Sequence, residues 1–315
     1  MRRVIVVGSA NTDLTVKVDA LPRPGETVVG HELMVSYGGK GANQALAALR
    51  AGAEVGLLAK IGTDPYGELL YNHLVRSGFE REGLIRDQDT AGGLALIAVD
   101  RGGNNQIVVV PGSNGRFVKE DLRSLESFAR DGSLLLTQLE IPLPTVEYAL
   151  RLARRLGMKT ILDPAPACPI PPGLYPLIDI LTPNETEAGG LTGMLVETPS
   201  QAEKAAKVLV SRGCPMVIVT LGAQGVLVGR AEGIEFYPAL RVDAVDTVGA
   251  GDAFNGALAA ALAAGRSFSR AIAFANAAGA LSTTRRGAQE SLPTEEEIER
   301  FLQGRGREEQ GGGRV

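Results

Sequence analysis

The stretch Asp246-Thr247-Val248-Gly249-Ala250-Gly251-Asp252-Ala253-Phe254-Asn255-Gly256 has the composition of an anion site with a carboxylate beside it. It runs into an alanine-rich segment that reads as a buried helix over Gly251–Ala264. A glycine-rich turn that opens a helix leaves its backbone N–H groups free of side-chain cover. The amides of Gly249, Ala250, Gly251 and Asp252 can therefore converge on phosphoryl oxygens, with the helix dipole adding partial positive charge. Asp252 has two readings. It can be an N-cap that accepts from the first-turn amides, or it can take the proton from a hydroxyl as that hydroxyl attacks phosphorus.

Other polar groups sit where chains leave apolar runs. Val4–Val7 ends at Gly8, and Asn11 and Asp13 follow at once. Open parallel sheets bind ligands at that end, and an Asn-x-Asp pair offers a polyol both donors and acceptors, although either residue can equally cap a turn. Gly38-Gly39-Lys40 begins another helical stretch, Ala42–Ala51. The glycines suit a close backbone approach to a ligand. Lys40 opposes the helix dipole there, a small cost that points to a ligand role against the alternative of a solvated lysine. Neither the Gly-x-x-x-x-Gly-Lys-Ser/Thr spacing nor a Gly-x-Gly-x-x-Gly after the first strand is present. Asn184 and Glu187, in Thr182-Pro183-Asn184-Glu185-Thr186-Glu187, follow the apolar run Ile178–Leu181. An acid-rich helix start explains that pair without any ligand.

The elements that must hold these groups alternate. Short apolar runs at Val4–Val7, Val55–Ala59, Ser133–Leu136, Thr160–Leu162, Ile178–Leu181 and Met216–Thr220 read as buried strands. Helical spacing separates them, at Ala42–Ala51, Thr145–Leu156, Gln201–Ser211 and Gly251–Ala264. This order predicts an α/β fold with a mostly parallel central sheet flanked by helices on both faces. Residues 14–36 and 92–110 instead alternate apolar and polar side chains around turn signals. They predict a small separate sheet inserted in a core made of 1–13, 37–91 and 111–303. Such a sheet must cover something or pair with a copy of itself, and a lid is the expected use. The glycine- and charge-rich residues 304–315 predict a disordered tail.

Composition narrows the function. The chain has 315 residues and a formal net charge of -4, with no basic excess for a nucleic-acid backbone. No apolar window is long enough for a membrane span, and Met-Arg-Arg-Val-Ile-Val-Val-Gly leads into a strand instead of resembling a secretory signal, so a cytoplasmic protein is expected. Cys168 and Cys214 have no metal-ligand spacing and read as reduced thiols. His31 and His73 fall in segments expected at the surface or in the small sheet, which makes histidine catalysis an unfavoured reading.

Asp246–Asp252 resembles the second signature of the ribokinase-like (PfkB) carbohydrate kinases, and Gly38-Gly39-Lys40-Gly41-Ala42-Asn43-Gln44-Ala45-Leu46-Ala47, continuing to Gly62-Thr63-Asp64-Pro65-Tyr66-Gly67, resembles the first. Gly8–Asp13, Pro24–Thr27, Val109–Asn114 and Thr284–Gln289 extend the similarity from Val4 to about Pro293. The resemblance implies the ribokinase-like fold and transfer of the ATP γ-phosphoryl group to the primary hydroxyl of a small sugar, D-ribose foremost. Asp252 would be the general base and the 249–252 amides the anion hole. It further implies that Asn11, Asp13, Gly39, Lys40, Asn43 and Glu140 hold the sugar. Asn184, Glu187, Thr220, Gly222, Gly225, Gly251 and Asn276 would line the nucleotide, with Mg²⁺ near Glu187, in part through water. A K⁺ site of mostly carbonyl ligands would form from Asp246, Val248, Ser282, Arg285, Gly287 and Ser291, and two copies would pair through the small sheet as a homodimer.

Alternatives remain. Another kinase of the family could act on 2-deoxyribose, a nucleoside or fructose, although aromatic residues that would stack on a base are only 4% of the chain. A non-catalytic sugar sensor on the same scaffold would tend to lose Asp252.

Overall fold

The first strand decides the layering. In β1 (Arg3–Val7) every residue is buried, yet successive side chains enter different cores. A computed structural model describes residues 2–311, with side chains through Gly304. The elements are β1, β2 (Asn11–Val18), β3 (Gly30–Gly38), α1 (Lys40–Arg50), β4 (Glu54–Gly62), α2 (Pro65–Arg76), β5 (Leu84–Asp87), β6 (Gly93–Val99), β7 (Asn105–Val110), α3 (Leu125–Phe128), β8 (Leu134–Thr137), α4 (Leu143–Arg155), β9 (Lys159–Leu162), β10 (Ile180–Leu181), α5 (Glu185–Thr192), α6 (Pro199–Ser211), β11 (Met216–Thr220), β12 (Gly225–Arg230), β13 (Gly233–Pro238), α7 (Ala250–Ala263), α8 (Phe268–Ser282) and α9 (Glu295–Gly311).

Nine strands form one sheet in the order β13-β12-β11-β10-β9-β8-β1-β4-β5. It is parallel from β5 to β11, and the β12 and β13 edge is antiparallel. Val4 and Val6 pack into the core made with α1, α7 and α8, whereas Ile5 and Val7 pack into the one made with α4, α5 and α6. Helices therefore cover both faces, as the alternating pattern predicts. Among the described residues no helix is long and apolar enough to cross a membrane.

The smaller sheet has the order β3-β2-β6-β7. It is wider than the sequence pattern predicts. Pairing begins at Asn11 with Gly38 and Gly93, so residues 11–13 and 37–38 belong to its strands instead of to the core. The polar Asn11-Thr12-Asp13 start hides this, because alternation becomes visible only from Leu14. One face carries exposed Leu33, Val35, Leu96, Val108 and Val110.

At the other end of the chain, α9 carries the backbone helically to Gly311, past Gly304 where composition predicts disorder. Glu295, Glu296 and Glu297 favour the helix start, and Arg300 pairs with Glu296 one turn back. The rest of the predicted tail, 312–315, lies outside the described residues. Cys168 and Cys214 are both free thiols.

Candidate active site

Helix α7 begins after Gly249, which adopts the left-handed conformation (φ 78°) that lets the chain turn sharply into the helix. No side chain caps it. Ala250 N–H donates to the Thr247 carbonyl at 3.3 Å, so the turn itself uses part of the predicted amide set. An added Cβ on Gly251 would meet no protein atom within 4 Å. Open space therefore lies over the first turn.

Asp252, third in α7 and 5% exposed, is not the cap that its position permits. Its carboxylate turns to α1: Asn43 Nδ2 donates to Oδ2 at 2.9 Å and Gln44 Nε2 to Oδ1 at 3.0 Å. Both donors have partners behind them. Gln289 Nε2 donates to Asn43 Oδ1 at 3.1 Å, and His73 Nε2 lies 2.8 Å from Gln289 Oε1 with its ring stacked on Tyr37. Gln44 Nε2 also reaches Asp163 Oδ2 at 2.7 Å, and Gln138 Nε2 donates to Gln44 Oε1 at 2.6 Å. His73 is thus tied to this network from α2, two amides away from the carboxylate and not in contact with it.

Lys40 opens α1 with its Nζ 4.0 Å from Asp163 Oδ2. Burial pulls its ammonium down, but Asp252, Asp163, Glu140 and Glu187 together outweigh that and hold it above the ordinary lysine value. Asp163, just past β9, is pushed up to about 8 by burial, with Lys40 opposing. The Glu187 carboxyl is raised too, first by burial. Four carboxyl groups around one ammonium leave an excess of negative charge.

Glu140 supplies the cap that α1 needs: its Oε2 accepts from Lys40 N at 3.0 Å and from Ser9 Oγ at 2.5 Å. Across from it, Asn11 Oδ1 accepts from Asn114 Nδ2 at 2.7 Å, which leaves the Asn11 amide to donate. Burial pushes the Asp13 carboxyl up to about 7, with Glu140 and Glu290 adding to it. Gly38 and Gly39 make their close approaches to protein, not to open ligand space. A Cβ on Gly38 would fall on the Asp13 carboxylate, and one on Gly39 on the Ala10–Asn11 backbone. The two glycines are needed because α1 begins directly against the strand that carries Asn11 and Asp13.

Asn184 and Glu187 form a reciprocal capping box at α5: Glu187 N donates to Asn184 Oδ1 at 2.8 Å, and Asn184 N to Glu187 Oε2 at 2.9 Å. Thr220 N donates to the Pro183 carbonyl, so the two loops run side by side. Space is open at Gly222, whereas a Cβ on Gly225 would fall on the Tyr237 carbonyl, so Gly225 serves the β12–β13 packing. Asn276 Nδ2 donates to the Pro238 carbonyl at 2.8 Å, the bond of a helix Asn to its surroundings.

Asp246 draws two segments together, accepting from Val248 N and from Gly287 N, each at 3.0 Å. Ser282 and Ser291 hydroxyls donate to the nearby Gly279 and Ala288 carbonyls, and the Arg285 guanidinium pairs with Glu297. Carbonyls, not these side chains, are what this loop pair has to offer a cation.

Sequence reasoning missed Gln44, Asp163, Gln138, Gln289 and Asn114 as parts of the site. Gln138 and Asp163 follow strands β8 and β9 directly, the same signal that singles out Asn11 after β1.

Comparison with known proteins agrees with this layout. The family model described as pfkB family carbohydrate kinase matches residues 1–295. A ribokinase of Haemophilus influenzae is 41% identical over 304 residues, covering 96% of this chain and 99% of that one. A ribokinase of Thermotoga maritima superposes with a TM-score of 0.88 at 39% identity, covering 96% of this chain and all of the other (100%). A ribokinase of Arabidopsis thaliana, solved with ribose and ATP, superposes with a TM-score of 0.87 at 30% identity, covering 96% of this chain and 98% of that one. The resemblance in the two sequence signatures and the architecture have the same origin: this chain belongs to the pfkB family of carbohydrate kinases.

Proposed function

We propose that this protein is a ribokinase, transferring the γ-phosphoryl group of ATP to the O5 hydroxyl of D-ribose. One observation carries the proposal: a buried carboxylate, Asp252, is held by two amide donors in the first turn of an uncapped helix with open space above it. The sugar lies among Asn11, Asp13, Gly39, Lys40, Asn43 and Glu140. Asp252 accepts the O5 proton as the oxygen bonds to phosphorus and the bond from phosphorus to ADP breaks. The amides of Gly249, Gly251 and Asp252, with Lys40, receive the charge on the transferring oxygens, while that of Ala250 closes the turn onto Thr247. Asn184, Glu187, Thr220, Gly222, Gly225, Gly251 and Asn276 follow the nucleotide, and the smaller sheet, as a lid, excludes water.

The residues suit two cations. The excess of carboxyl groups around Lys40 suits Mg²⁺, and Glu187 would approach it through water, since no three His, Cys, Asp or Glu side chains among the described residues cluster tightly enough to hold a metal alone. Mg²⁺ would supply charge neutralisation on the phosphates. The paired loops at Asp246–Val248 and Ser282–Ser291 would hold K⁺ through carbonyls of Asp246, Val248, Ser282, Arg285, Gly287 and Ser291. The exposed apolar face of the smaller sheet, with Leu33, Val35, Leu96 and Val108, supports a homodimer.

The test measures ADP release with ATP and Mg²⁺ over D-ribose, 2-deoxyribose, fructose, adenosine and uridine, with and without K⁺. D-ribose should give the highest kcat/KM, raised by K⁺, and Asp252→Asn should lower turnover about 100-fold or more while sugar binding survives. A preference for another substrate overturns the assignment to ribose. Full turnover by D252N overturns the role of Asp252.

A further inference from the structure

Gln44 has a carboxamide with no freedom left. It is fully buried on α1, both its N–H groups are engaged by carboxyl oxygens, of Asp252 and of Asp163, and its oxygen accepts from Gln138. Flipping the amide would turn its oxygen toward two acceptors and its nitrogen toward a donor. The orientation is therefore set by the three groups around it. Asp163 is anchored in turn, its N–H donating to the Thr137 carbonyl at 2.9 Å, so β8 and β9 fix the far side of the amide.

We infer that Gln44 is a positioning residue for Asp252, and that Asp163 acts on Asp252 through Gln44 by holding that amide in place. The inference rests on Asp252 being the proton acceptor. Asn43 and Gln44 grip opposite oxygens of the carboxylate, so losing one grip frees it to rotate about the other. A base that swings by a fraction of an ångström loses alignment with the attacking hydroxyl, while groups that hold the sugar elsewhere are untouched. The Asp163 oxygen that accepts from Gln44 Nε2 at 2.7 Å also lies 4.0 Å from the Lys40 ammonium, so the carboxyl that holds the amide is itself held from a second side.

The experiment compares Gln44→Met, Asp163→Ala, Asp163→Asn and the Q44M/D163A double variant by steady-state kinetics, with thermal unfolding to confirm the fold. Q44M should lose about tenfold or more in kcat with the KM for sugar within about threefold. D163A should behave alike, D163N should keep at least about threefold more kcat than D163A because it retains the acceptor, and the double variant should be no worse than Q44M. A kcat for Q44M within about twofold of wild type, or losses that multiply in the double variant, would overturn the inference. If Q44M does not fold, equal kcat for D163A and D163N overturns it. D252N separates the two levels: if it loses turnover while Q44M does not, only the positioning role fails, and if D252N turns over normally the underlying reading fails.

Discussion

Gly251→Ala should make the protein more stable and nearly inactive at once. Gly251 is the second residue of α7 and has no positive φ, so an alanine fits its backbone. An added Cβ meets nothing within 4 Å, so no packing is disturbed. Replacing Gly by Ala in a helix stabilises by about 0.5–1 kcal/mol, chiefly through the unfolded chain, and the helix start puts this case near the low end. For a chain of this size that is a rise in Tm of about 1–2 °C. The same methyl stands in the space over the first-turn amides, where the transferring oxygens would have to sit. Losing one such donor costs about 2.7–4 kcal/mol, so kcat/KM for ATP should fall about 100-fold or more. Thermal unfolding by circular dichroism and coupled ADP release read the two effects on the same sample. Wild-type turnover would refute the use of that space by the phosphoryl group, and a Tm lowered by several degrees would show that the fold itself requires the glycine.

Three further outcomes follow from the charges and surfaces. Asp13, held near 7, should bind the sugar as a carboxylate, so the KM for sugar should rise about tenfold between pH 8 and pH 6, and Asp13→Asn should flatten that profile; a KM unchanged over this range would show that the protonated form binds equally well. Asp163 has a folded-state value of about 8 against an ordinary 3.8, so the native state binds its proton more tightly and the resulting stability, full below about pH 4, is lost as pH rises through 8. The wild type should thus lose stability relative to D163N over this window, by up to about 1 kcal/mol per pH unit, and parallel Tm profiles would contradict it. Val108→Asp, on the exposed face of the smaller sheet, should shift sedimentation from dimer to monomer, whereas a wild type that already sediments as a monomer would remove the proposed interface.

What the sequence reveals here follows from the range of each interaction. The apolar runs of β1 and β11 show their strands to within a residue, because burial on both faces makes the strand interiors continuously apolar; the one miss is Arg3, a charged residue at the buried start of β1. In β10 only Ile180 and Leu181 pair, two residues short of the apolar run, since Ile178 closes a preceding turn onto Tyr175. The glycines of the nest are visible because their backbone demands are local. Gln44, Gln138 and Asp163 stay hidden for the opposite reason: they are 94 and 119 residues from one another's partner positions along the chain and meet only after β8 and β9 have stacked beside β1. For Gln138 and Asp163, their place directly after a buried strand is the one local hint, and Gln44, inside α1, lacks even that. Asn276, on α8, donates to the carbonyl of Pro238 at the end of β13, an edge strand without a strong sequence pattern, so this bond too is invisible until the fold is known.

The glycines of α7 do two different jobs, and the difference explains how short amides on α1 reach Asp252. One turn beyond Asp252, a Cβ on Gly256 would press on Ala47 Cβ and the Gln44 carbonyl, at 2.5 and 2.6 Å. The missing side chain lets α7 approach α1 more closely than two ordinary helix faces allow. At the start of α1 the same device recurs, with a Cβ on Gly41 falling on the Gly8 backbone, so α1 is seated tightly on both α7 and the end of β1. Asn43 and Gln44 lie between these two contacts. Their side chains can span to Asp252 at hydrogen-bond distance because the backbones have already closed the gap, and rotamer freedom is small where three elements meet. Gly256 and Gly41 thus fix where the carboxylate is held against Asn43 and Gln44, and Gly251, where an added Cβ would meet nothing within 4 Å, keeps the start of α7 clear beside it.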